Sequence, residues 1–157
     1  MIASFLRQCQ PDRLIENISG HGVLAIWNGS EKGNDTLFRA ELDALPIQET
    51  NDLAYNSSRE GVSHKCGHDG HMTILCGLAL QLASNKPSKG SIMLLFQPAE
   101  ETGQGAKSVL ADKQFQSLNF DYAFALHNLP KRKKGTIYCK KGSFCAASTG
   151  LIIKLQG

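Results

Sequence analysis

Hydrophobic positions along the chain fall into short compact runs separated by polar, glycine-rich connections, a rhythm of strands joined by loops and helices. Val23 to Trp27 and Thr36 to Leu42 read as strands, and the intervening Asn28 to Asp35, rich in Asn and Gly, reads as a hairpin-like loop that would pair them antiparallel. From Asp69 to about Ala83 the period changes: Met72, Leu75, Ala79 and Leu82 recur on one helical face, Asp69 can cap the start, and Pro87 lies beyond the end. Ser91 to Phe96 is apolar enough for a strand buried on both faces and is stopped by Pro98. A short helix over Gly105 to Ala111 follows, then a buried strand over Phe120 to Leu126, and further strands over Gly135 to Lys140 and Leu151 to Leu155. This alternation predicts an α/β fold, a mostly parallel mixed sheet covered by helices.

Composition narrows the class. With 157 residues, 41% hydrophobic and 20% charged, the chain is expected to form one domain around one core. Its longest apolar stretches, Ile92 to Phe96 and Leu151 to Ile153, are far short of the roughly 20 residues that span a bilayer, so no membrane partner is expected. A net charge of +3 gives no argument for nucleic acid, and the basic run Lys131 to Lys134, between Pro130 and Gly135, reads as a solvated turn. Met1 to Phe5 shows no basic region ahead of a signal-length apolar run, and five cysteines at irregular spacing fit reduced thiols, so the expected location is cytoplasmic. The apolar, strand-like ending before Gly157 suggests part of a larger architecture.

The chemistry concentrates at the ends of these elements. His64-Lys65-Cys66-Gly67-His68-Asp69-Gly70-His71 packs three imidazoles, a thiol and a carboxylate into eight positions at a loop-to-helix junction. Neutral imidazole and thiolate are good ligands for borderline transition metals, and the two glycines let the backbone fold closely around an ion. The rival chemistry is a nucleophilic pair in which His68 or His71 activates Cys66; the plain alternative is a polar loop with exposed histidines. Gln97-Pro98-Ala99-Glu100-Glu101 follows the buried strand, where adjacent carboxylates can divide into metal ligand and general base. His127-Asn128-Leu129-Pro130 again follows an apolar strand, and alternation puts Glu41 and Asp43 on one face at the end of theirs. Polar clusters at several strand ends and a helix start are how catalytic metal sites are assembled.

Taken in order, RAELDALPIQE, SHKCGHDGHM, FQPAEETGQGA and ALHNLP resemble the amidohydrolase branch of the aminoacylase and carboxypeptidase-type metallopeptidases, which includes hippurate hydrolases, N-acyl-amino-acid amidohydrolases and plant auxin-conjugate hydrolases. The likeness runs over residues 5 to 157. It implies that Cys66, His68, Glu101 and His127 are metal ligands, that Glu100 is the general base, and that Asp43 is the carboxylate that orients a ligand; it leaves His71 without a role. One or two divalent ions (Mn, Zn, Co or Ni) are implied, with a small N-acyl amino acid as substrate. Glu41 stands where relatives often have Asp, and Lys65 where a small residue is common, placing a cation beside Cys66. Relatives are longer, with an inserted smaller domain that binds substrate and dimerises and a last ligand histidine in a returning segment. The chain is therefore expected to be the N-terminal part of a catalytic domain, from a homo-oligomeric enzyme. A paralogue that binds metal or a partner without turnover, and a Cys66-dependent hydrolase, are the alternatives.

Overall fold

The computed structural model describes residues 1–144 and 151–156; Cys145 lies outside them. The element order is α1 (Ile2–Gln8), β1 (Arg13–Ile18), β2 (Gly22–Asn28), β3 (Thr36–Glu41), α2 (His68–Ser84), β4 (Ser91–Gln97), α3 (Gly105–Ala111), α4 (Lys113–Gln116) and β5 (Tyr122–Ala125). The strands form one five-stranded sheet in the order β1-β2-β4-β3-β5. β1 with β2 and β2 with β4 run antiparallel, whereas β3 runs parallel to both β4 and β5. The fold is α/β with a mixed sheet, divided evenly between the two kinds of pairing rather than mostly parallel.

Both faces of the sheet are covered, which explains why its central strands are apolar without alternation. Val23, Ala25 and Trp27 of β2 and Leu94 and Phe96 of β4 pack with Leu6 and Cys9 from the α1 side and Leu75, Ala79 and Leu82 of α2. Their neighbours Leu24, Ile26, Met93 and Leu95 point the other way, onto Val109 of α3 and Phe115 of α4. The helix face read from the sequence is the one that docks, with Leu75, Ala79 and Leu82 buried and Met72 at the margin.

β2 and β3 do not form the expected hairpin. Each pairs with β4 instead, β2 from Val23 against Phe96 to Asn28 against Ser91, and β3 from Thr36 against Ile92 to Glu41 against Gln97. A strand as apolar as β4 hides its side chains best with a neighbour on each edge, and the Asn28 to Asp35 connection passes across its start. There the Gly29 N–H donates to the Gly90 carbonyl at 2.6 Å and the Gly90 N–H to the Glu31 carbonyl at 3.0 Å. Gly90, at φ +63°, leaves no room for a β-carbon beneath Asn34.

Other boundaries also shift. α1 and β1 were not evident in the pattern, because a seven-residue helix and a strand carrying Arg13, Glu16 and Asn17 have too few apolar repeats to announce themselves. Asp69 is not the cap of α2: Gly67 takes that place, and Asp69 sits in the first turn, accepting from the Gly70 N–H at 2.9 Å. β5 is not a buried strand but an exposed sheet edge, since no strand pairs with its outer side among the described residues. Residues 135–140 and 151–155 form no strand; Ile137, Leu151, Ile152 and Leu155 stand in solvent, apolar sequence alone being insufficient where no sheet edge is met. Lys131 to Lys134 lies exposed in turn and bend structure, as its sequence suggests. No helix among the described residues is long and apolar enough to cross a membrane.

Phe96 is wholly buried at the centre of the sheet. Phe96→Ala is expected to cost about 3–5 kcal/mol in urea unfolding; a loss below about 1 kcal/mol would contradict this packing. A second expectation concerns acid. Asp112 accepts from the Ser19 and Gln114 backbone N–H groups, which hold its carboxyl below the ordinary 3.8. Its contribution is complete above that ordinary value and is lost as pH falls through the lower folded one. Wild type should lose melting temperature more steeply than Asp112→Asn between about pH 4 and about pH 2; parallel profiles would count against the two hydrogen bonds.

Candidate metal centre

Three strands that run parallel, β4, β3 and β5, end on the same side of the sheet, and the segments leaving them carry the polar clusters. β3 delivers Glu41 and Asp43, β4 delivers Glu100 and Glu101, β5 delivers His127, and the start of α2 brings Cys66, His68 and His71 beneath them. The turn after β4 is bent through Ala99, whose φ of +54° is costly for a residue with a β-carbon. Hydrogen bonds hold it: the Gly103 N–H donates to the Glu100 carbonyl and the Gly105 N–H to the Ala99 carbonyl, both at 2.8 Å.

His68 is the hub. One donor atom from each of Cys66, His68 and His127 lies within 4.8 Å of the others, and the same holds for His68, Glu100 and Glu101 and for Glu41, His68 and His71. The His68 Nδ1 is 2.9 Å from the backbone carbonyl of Asp43, which can only accept, so the proton sits on Nδ1 and the lone pair on Nε2. That Nε2 is buried, has no hydrogen-bond partner among the described residues, and lies 3.6 Å from Glu101 Oε1 and 3.7 Å from Glu100 Oε2. His127 repeats the device: its Nδ1 donates to the Asn128 carbonyl at 2.8 Å, turning the Nε2 lone pair to Cys66 Sγ at 3.3 Å. Two imidazoles are thus fixed by main-chain carbonyls in the tautomer a metal requires.

Asp43 meets the cluster with both its backbone and its side chain. Its carbonyl orients His68, while its carboxylate Oδ2 accepts from the Glu101 N–H at 3.0 Å and so fixes the carboxylate-bearing turn. Glu100 and Glu101 are nearly equidistant from His68, but their surroundings differ. The Glu101 side chain is 23% exposed and lies beside Cys66, whereas that of Glu100 is 38% exposed and open to water. The first setting suits a ligand and the second a base.

The Cys66 thiol is pushed up to about 11, by burial first and then by its hydrogen bond to Glu101 and the charges of Glu101, Glu100 and Glu41. An activated nucleophile needs the opposite shift, so the surroundings disfavour the thiol-hydrolase chemistry. The neighbouring cation, Lys65, is paired with Glu49. A thiol, two imidazoles that turn their Nε2 lone pairs into the cluster and two carboxylates are a fitting donor set for one or two divalent transition ions.

His71, without an assigned role in the sequence, is fully committed to protein partners: Nδ1 to Glu41 Oε2 at 2.9 Å, and Nε2 accepting from the Asn128 N–H at 3.0 Å. Asn128 and Arg39 were not singled out by sequence reasoning. Arg39, two residues before Glu41 on the same face of β3, bonds Glu41 at 2.5 Å and Gln97 at 2.9 Å, and that spacing was the available signal. His64 stays outside the cluster. It lines a polar cavity of about 560 Å³ with Tyr55, Asn56, Lys65, Gly67 and Asn128, and none of the five clustered donor residues borders it. The donor geometry, not the cavity, locates the chemistry.

Known proteins resemble this chain. The chain is 40% identical over 142 residues to the hippurate hydrolase of Campylobacter jejuni, covering 90% of this chain and 37% of that one. It is 39% identical over 158 residues to the N-acetyl-L-cysteine deacetylase of Bacillus subtilis, covering 98% and 38%. The crystal structure of the Bacillus subtilis protein YXEP, described as a dinuclear metal binding peptidase from the M20 family, superposes with a TM-score of 0.74 at 35% identity, covering 83% of this chain and 36% of that one. The chain thus spans well under half the length of the relatives it matches. The sequence profile of Peptidase family M20/M25/M40 matches residues 37–148, the stretch that contains every clustered side chain described above, and the chain belongs to that family.

Proposed function

We propose that this site is the metal-holding and proton-transferring part of an amidohydrolase centre that cleaves the amide bond of N-acyl amino acids. The observation that carries the reading is His68 Nε2, buried and without a partner among the described residues, with its tautomer set by Asp43 and two carboxylates and a thiol around it. Cys66, His68, Glu101 and His127 would hold the metal. When bound, it supplies the positive charge that acidifies a water molecule and polarises the acyl carbonyl. Glu100, open to solvent beside these residues, takes the proton of the attacking water and passes it to the departing amine. Asp43 contributes by orienting His68 and the Glu101 turn.

Support for the substrate class comes from relatives named as a hippurate hydrolase and as deacetylases of N-acetyl-L-cysteine and N-acetyldiaminopimelate. Zinc and manganese head the candidate ions, since both accept mixed thiolate, imidazole and carboxylate ligation. The four described cysteines, Cys9, Cys66, Cys76 and Cys139, are free, which supports a reducing, cytoplasmic setting. Small-molecule amides are the partners the site suits, and a homo-oligomeric enzyme remains part of the proposal.

Elemental analysis of purified protein, paired with hydrolysis of a panel of N-acyl amino acids, tests the division of roles. Glu101→Ala is expected to lose bound metal. Glu100→Gln is expected to keep it while any turnover of the wild type falls by roughly 100-fold or more. Metal retained in Glu101→Ala, or turnover retained in Glu100→Gln, would overturn the assignments; metal bound without turnover in the wild type would support a binding role alone.

A further inference from the structure

The third group of potential donors, Glu41, His68 and His71, satisfies a distance criterion for metal binding, yet its hydrogen bonding points elsewhere. Glu41 is 2% exposed, and both of its oxygens are occupied, Oε1 by the Arg39 guanidinium and Oε2 by His71 Nδ1. A cation added there would have to displace Arg39, which already balances the buried carboxylate. His71, 1% exposed, has no lone pair to offer: Nδ1 donates to Glu41 and Nε2 accepts from the Asn128 backbone.

These bonds join the segments that carry the metal donors. Glu41 belongs to β3, His71 to the first turns of α2, and Asn128 follows directly on His127. The Asn128 side-chain amide closes the chain of contacts from the other side. Its Oδ1 packs within 3.1 Å of His71 Nε2, a contact and not a second hydrogen bond because that nitrogen already accepts from the Asn128 N–H, and the amide lies across Gly67, where an added β-carbon would meet Asn128 Nδ2 at 2.8 Å. Gly67, in the left-handed region at φ +94°, sits between Cys66 and His68. One amide is therefore clasped between the loop that presents Cys66 and the imidazole anchored on β3, and the carbonyl of the same residue fixes the His127 ring.

We propose that His71 and Asn128, anchored by Glu41, form a positioning clasp that sets His127 against Cys66 before any metal arrives. The proposal rests on the metal-centre reading given above, but it concerns residues outside the donor set. Its function is preorganisation: a β5 edge strand and the exposed segment after it have little packing of their own to hold an imidazole in place, and His71 supplies the anchor from the rigid side of the site. Glu41, His71 and Asn128 are then positioning residues, acting on the metal only through His127 and Cys66.

Two variants test it on the intact chain. His71→Phe keeps a ring in the buried space and removes both nitrogens; Asn128→Ala removes the amide at an exposed position and leaves the core untouched. Zinc and manganese affinity, by competition with a chromophoric chelator, is expected to weaken by roughly 10- to 100-fold in His71→Phe and by a smaller factor in Asn128→Ala. In metal-free protein, alkylation of Cys66, followed on its own peptide by mass spectrometry, is expected to quicken in both as His127 is released. His71→Gln, which can still accept from the Asn128 N–H, should recover part of the affinity. Wild-type affinity together with an unchanged Cys66 rate would overturn the clasp, and if His71→Phe does not fold, the same result in Asn128→Ala alone overturns it. Should the wild type bind neither metal, the metal-centre reading fails; the clasp is then decided by the alkylation arm, unchanged rates rejecting it.

Discussion

The parallel alignment of β3 beside β4 and β5 is the constraint on which the site depends. Parallel strands share a carboxyl end, so the residues that follow each one are delivered to the same edge, as in open α/β sheets generally. Had β2 and β3 closed as a hairpin, Asp43 would have been separated from Glu101, and the hydrogen bond between them could not form. What makes β4 central is its uninterrupted apolar sequence. It is buried on both faces and paired on both edges, and that burial holds the turn with Glu100 and Glu101 at the middle of the site.

Within that frame, the chemistry is set by backbone carbonyls. His68 and His127 each give their Nδ1 proton to a main-chain oxygen, of Asp43 and of Asn128, which leaves a lone pair on Nε2, without a partner among the described residues in His68 and facing the Cys66 thiol in His127. His71 lacks this arrangement and uses both nitrogens on protein groups. Three histidines close in space thus divide into two that offer a lone pair and one that does not, a distinction that follows from what their other nitrogen meets. The raised Cys66 thiol fits the same account. Buried beside Glu101 it is held protonated, so the proposed ligation by Cys66 would expel its proton, and affinity should rise with pH.

Much of this was legible in the sequence where the signal was local. The helix face of Leu75, Ala79 and Leu82, the strand stopped by Pro98, the short helix from Gly105 and the density of donors between His64 and His71 are each written in consecutive residues. What was not legible depends on contacts distant along the chain. Nothing between Val23 and Leu42 says that β4, some fifty residues later, will part the two strands. The role of Asn128 is equally hidden, because it arises from a hydrogen bond to His71 and from the space above Gly67. The apolar runs of residues 135–140 and 151–155 mislead in the other direction: their composition asks for a strand, but no pairing edge is reached among the described residues.

Titration of the purified, metal-free chain with cobalt(II), followed in the near ultraviolet and visible, tests the central claim most directly, because a thiolate ligand and the coordination number each leave their own absorption. The account requires a thiolate-to-cobalt charge-transfer band that grows to saturation in wild type and is absent from Cys66→Ser. Saturable cobalt binding with no such band, or no binding at all, would contradict the assignment of Cys66, His68, Glu101 and His127 as one metal centre.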